Sequence, residues 1–134
     1  MAKSDRNKEL AALFLGLVTV VSVAALISGA AFLNSLLPGG LPAGNIVAAC
    51  ILCAPAGAAV LLSPPRTPVS YFSIAALVAA VAWLPVSIAL AGNLLLNFAG
   101  PNGDIWQVQT VCSTLAAYLA LAWAAIRRLV AWRR

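Results

Sequence analysis

The sequence predicts an all-α fold: an integral membrane bundle of four transmembrane helices. Three observations carry that prediction. Of the 134 residues, 63% are hydrophobic and only 8% are charged, where a soluble domain has about 25% charged residues. The mean hydropathy is +1.02, and a water-soluble fold of this composition would expose apolar patches far beyond what solubility tolerates. Finally, the apolar residues fall into four runs separated by Pro- and Gly-rich connections. The length predicts a single domain.

Residues 1–9 form a short polar segment of mixed charge, with Lys3, Asp5, Arg6, Lys8 and Glu9. Ser4 is a weak candidate N-cap. Residues 10–33 follow as a nearly continuous apolar run. That run is too long for the 7–15-residue core of a signal peptide, and its flank carries acids as well as bases, so it reads as a retained first span. Residues 34–45 contain Pro38, Gly39, Gly40, Pro42 and Gly44, which end helices and make turns, and they carry no charge. Residues 46–62 make a short second span with Pro55 in its middle, where a kink is expected. It can cross if Asn45 and Ser63 sit in the headgroup region.

The second turn, residues 63–70, holds Pro64, Pro65, Pro68 and the only internal base, Arg66. Residues 71–98 are uncharged throughout and exceed the ~20 apolar residues a span requires. Their length allows a tilted helix or one broken near Pro85. Residues 99–104 form the third turn, and residues 105–126 the fourth span, which runs into Arg127, Arg128, Arg133 and Arg134. Four spans place all eight basic residues on one side. The positive-inside rule then predicts that both termini are cytoplasmic, in what is expected to be a bacterial inner membrane. Arg66 and the four C-terminal arginines are expected to set topology and to meet lipid headgroups.

Each span also carries a stripe of small or weakly polar residues. These are Ala12, Gly16, Thr19 and Ser22 in the first; Asn45, Ala49, Cys53 and Gly57 in the second; Ser73, Ala76, Ala80, Ser87 and Ala91 in the third; and Gln107, Thr110, Thr114 and Ala117 in the fourth. Small residues let membrane helices approach closely, so the stripes read as contact faces, with a ligand-lined path as the alternative. Asn93, Asn97, Gln107 and Gln109 are candidates for interhelical hydrogen bonds or for holding a polar ligand. Trp83, two residues before Pro85, is expected mid-membrane, filling space at a kink. Trp106, Trp123 and Trp132 sit where interfacial anchors are expected.

Three cysteines and no histidine argue against a disulfide framework, bis-histidine haem and a zinc site. No metal and no cofactor is expected. Cys50 and Cys53, with Cys112 at a comparable depth, are the redox candidates. No cation lies nearby to stabilise a thiolate, so small buried cysteines are the favoured reading. The span cores hold no ionisable residue, which argues against a proton- or ion-coupled transporter. Glu9 lies only at the edge of the first span. The net charge of +5 is divided between the chain ends and one loop, so no nucleic-acid footprint is expected.

The expected function is therefore non-enzymatic: a packing or accessory subunit of a larger membrane complex. Its partners would be membrane lipids and either other membrane subunits or further copies of itself. The alternatives are a pore-forming protein or small transporter of the holin kind and, third, a membrane thiol–quinone oxidoreductase.

Overall fold

A computed structural model describes residues 3–91 and 102–133, without the side chains of Lys3, Ser4, Leu90, Ala91 and Trp132. Among these residues the fold is helical. Its elements are α1 (Lys3–Ser28), a short 3-10 helix (Ala31–Asn34), α2 (Ala43–Leu62), α3 (Pro68–Ala91) and α4 (Gly103–Trp132). All four α-helices are long and apolar enough to cross a bilayer.

Local chemistry sets the helix ends, and it moves some of them from where hydropathy puts them. The first apolar run continues to residue 33, but α1 stops at Ser28. Gly29 adopts a φ of 62° there and donates its N–H to the Leu26 carbonyl. Glycine takes this left-handed conformation without the Cβ clash other residues meet, which makes it the usual residue just past a helix end. The remainder of the run folds into the 3-10 turn, anchored by buried Leu33. Gly39 and Gly40, both at positive φ, then turn the chain back, and Leu36 bridges to Pro42.

Between α2 and α3 the Thr67 hydroxyl accepts from the Ser70 N–H at 3.2 Å. Thr67 is thus an N-cap, and Pro68 occupies the first helical position, where its missing N–H costs nothing. Both prolines inside helices leave the helical run unbroken, Pro55 in α2 and Pro85 in α3. The break considered near Pro85 is therefore absent. The part of the expected third span beyond Ala91, with Asn93 and Asn97, lies outside the described residues, as does Arg134.

Helix α2 is the hub. It packs against α1, α3 and α4, and α3 packs against α4, while neither α3 nor α4 makes extended contact with α1. Of the most apolar stretch of each helix, 44% is buried in α2 and 17% in α1, so α1 is the peripheral helix. The bundle interior is built of small side chains. Ala56, Ala59, Ala76, Ala80, Ala117, Ala120 and Ala124 are buried, together with Ser73 and Ser87. The bulky aliphatic side chains, such as Leu13, Leu17, Val78, Leu115 and Leu119, face outward. This arrangement inverts that of a soluble bundle. It follows from a medium that supplies no hydrophobic drive between helices, so that close backbone approach does the holding.

The end of α1 carrying Glu9 meets the end of α4 carrying Arg128, and the α2–α3 turn lies at the same place. Asp5, Lys8, Glu9, Ser63, Pro64, Pro65 and Arg128 all line one small pocket. The described basic residues thus gather at one end of the bundle, as the loop charges predict. Asp104 lies at the start of α4, at the other end.

Candidate functional site

Two places in the structure bring polar chemistry to the helices. The first is an interior knot joining α3 to α4. Trp83 Nε1 donates to Thr110 Oγ1 at 3.0 Å, and the Thr110 hydroxyl donates to the Trp106 carbonyl at 2.8 Å. The Trp83 and Trp106 rings have centroids 4.8 Å apart and are inclined at 36°. Both tryptophans are 1% exposed. A buried indole N–H needs an acceptor, and Thr110 supplies it from the neighbouring helix. Trp83 therefore packs against a second indole inside the bundle, while Pro85 is exposed. The expectation for Trp106 is overturned: it is a core residue, not an interfacial anchor. Trp123 is 41% exposed, with its ring 5.9 Å from that of Phe72.

A cavity of about 120 Å³ lies beside the knot, lined by Leu26, Ala48, Ile51, Leu52, Trp83, Thr110 and Thr114. Its walls are almost wholly apolar, and the Thr114 hydroxyl is bonded to the Thr110 carbonyl at 2.7 Å. No group in it is poised for acid–base or nucleophilic chemistry. Among the described residues no cluster of His, Cys, Asp or Glu could hold a metal ion.

The second place is the seam between α1 and α4. Near the basic end, Arg128 Nε and Nη2 both donate to Glu9 Oε1, at 3.2 and 2.7 Å. This pair ties the two helices at their ends. Below it they stand apart, leaving an apolar slot of about 690 Å³. Ala12, Leu13, Gly16, Leu17 and Val20 line it from α1, Leu121, Ala125 and Leu129 line it from α4, and Leu62 of α2 contributes as well. A Cβ added to Gly16 would meet nothing within 4 Å.

The other candidates fall in different places. Gly57 faces α1, where an added Cβ would stand 3.3 Å from Leu15 Cδ1. Gln107 is exposed and Gln109 half-buried. Gln109 bonds Ser113 one turn along its own helix, at 3.4 Å, rather than reaching another helix. Cys50 and Cys53 are half-buried in α2 and Cys112 is exposed on α4; all three are free thiols. Pro85 is exposed on α3, and Arg66 adopts a φ of 58° in the exposed second turn. Arg127 and Arg133 are exposed beside Arg128. The small-residue stripes are largely internal, with Ala12, Thr19, Ser22, Ser73, Ala76, Ala80, Ser87 and Ala117 all buried.

Two features escape a reading of the sequence. The Glu9–Arg128 pair is one, because loop charges place several acids and bases at the same end without saying which of them meet. The other is Asn45, which is 1% exposed, with neither amide atom hydrogen-bonded among the described residues. Its position at the end of a short span suggests solvation, and only the packed structure reveals its burial.

Comparison with protein-family models, with curated proteins and with solved structures finds no match to this chain. The four-helix membrane architecture is what the fold and its chemistry define.

Proposed function

We propose that this chain is a non-enzymatic accessory subunit of a larger membrane assembly, held in a bacterial inner membrane with both termini on the cytoplasmic side. The observation that carries the reading is the lopsided packing of α1. That helix is in extended contact with α2 alone among the spans. Its outer face presents Leu10, Phe14, Leu17 and Val21, each 58–63% exposed, where a neighbouring membrane protein has access. The buried hydroxyls and indoles of the bundle serve its own packing, which fits a scaffolding role better than catalysis. The arginines at the basic end support the orientation through the positive-inside rule.

The test is extraction of the full chain in mild detergent, with a photo-crosslinking residue at Phe14. The accessory reading expects one stoichiometric protein partner and one discrete adduct. A chain that emerges alone, with adducts to lipid only, contradicts it. The holin-like alternative instead predicts leakage of the membrane on expression, and the outward faces described here, dominated by Leu, Val, Ile and Phe, offer little to line a pore. Replacing Cys50, Cys53 and Cys112 together by serine should leave the accessory function intact. Loss of function in that variant would favour thiol chemistry.

A further inference from the structure

We propose that the slot between α1 and α4 is a binding site for one anionic phospholipid, with an acyl chain along the slot and the phosphate in the polar pocket at its end. The apolar slot of about 690 Å³ and the polar pocket of about 160 Å³ share Glu9, Leu62 and Arg128. They therefore form one cleft that changes from hydrocarbon to polar character at the Glu9–Arg128 pair. An amphiphile is the class of ligand with that profile.

Length selects a lipid over a partner helix. From Glu9 to Val20 the slot follows α1 for about 16 Å at the helical rise. That is roughly half of the ~30 Å hydrocarbon thickness, the depth of one leaflet. A docked transmembrane helix would need a groove running the full thickness. Gly16 keeps the slot open, since nothing occupies the space where its side chain would project.

Charge selects the headgroup. Glu9 is engaged by Arg128, whose contact uses two of the five guanidinium N–H groups and leaves three as donors. Lys8 lines the polar pocket and has no hydrogen-bond or ion-pair partner among the described residues. Asp5 and Glu9 also line the pocket and balance Lys8 and Arg128, so the positive excess comes from Arg6, Arg66, Arg127 and Arg133 at the same end. A phosphate with net negative charge fits this surround, because basic residues at the membrane surface attract anionic lipid. The slot adjoins the outer face of α1 and shares Leu17 with it, but its test reads retained lipid and not a protein partner, so either reading can fail without the other.

The experiment is native mass spectrometry of the full chain after reconstitution in mixed phosphatidylcholine–phosphatidylglycerol bilayers and release in mild detergent. Wild type should retain one phospholipid per chain, enriched in phosphatidylglycerol. Gly16→Leu puts a side chain into the slot at a position where its Cβ meets no protein atom, and should lower retained lipid about tenfold, equivalent to a loss of ~1.4 kcal/mol. Lys8→Gln leaves the slot untouched and should lower the preference for phosphatidylglycerol about fivefold. Equal retention by wild type and Gly16→Leu, or no preference for phosphatidylglycerol in wild type, would overturn the proposal. So would release by Gly16→Leu of a bound protein or a second copy of this chain in place of lipid.

Discussion

Helix α1 meets α2 and α4 along two seams of opposite construction. Toward α2 the seam is closed: Leu15 already stands where a Cβ on Gly57 would touch it, and Thr19 and Ser22 are buried. Toward α4 the seam is held at one end by Glu9 and Arg128 and is otherwise open, with Leu13, Leu17 and Val20 facing Leu121 and Leu129 across the slot. A small residue on one helix lets a side chain of the next close on it, as Leu15 does on Gly57. Where branched side chains stand on both sides, the backbones stay apart and the space between belongs to the hydrocarbon. The same chain thus uses residue size to decide which of its surfaces face protein and which face lipid.

Variants at these positions sharpen the contrast. Among changes to polar side chains the largest effect is expected at Asn45, near the start of α2. Its amide is buried without a hydrogen-bond partner among the described residues, and an unsatisfied buried polar group costs about 1–3 kcal/mol. Asn45→Leu, of similar volume, should therefore raise the thermal midpoint in detergent by an amount corresponding to roughly 1–2 kcal/mol. A lowered midpoint would show that the amide has a partner in the membrane-embedded protein.

Next comes the α3–α4 knot. Thr110→Val removes the acceptor of the Trp83 N–H, and interhelical hydrogen bonds in membranes contribute about 0.6 kcal/mol on average and up to ~1.7. A loss in that range, with a change in tryptophan fluorescence, is the expected outcome. An unchanged spectrum and midpoint would remove the knot from the account.

The smallest effect is expected on the open side. The Glu9 and Arg128 side chains are part-exposed, and ion pairs of that kind contribute about 0–1 kcal/mol and weaken with salt. Glu9→Gln should cost less than ~1 kcal/mol at low ionic strength, with the difference shrinking as salt is added, as equilibrium unfolding would show. A large, salt-independent loss would mean that the pair, and not α2, holds α1 in place.

The number of spans and the gathering of basic residues at one end were legible in the sequence, because charge is excluded from hydrocarbon and hydropathy records that exclusion directly. Helix ends were less legible. Hydropathy cannot separate α1 from the apolar 3-10 turn after it; the left-handed Gly29 does, and Gly29 also lies inside an apolar run. The stripes marked contact faces correctly at Ala76, Ala80 and Ala117. They could not rank the seams, since Gly16 and Gly57 have the same side chain and only the facing residue distinguishes them. Trp106 was misplaced because tryptophan near a span end is usually interfacial, and its stacking partner Trp83 comes from a different helix.

The most direct measurement compares two glycine substitutions in one unfolding experiment. Gly57→Leu drives a side chain into Leu15 and should lose about 1–3 kcal/mol, the usual cost of overpacking. Gly16→Leu enters open space and should leave the unfolding free energy unchanged or slightly raised. Equal losses at the two positions would contradict the claim that α1 has one closed seam and one open one.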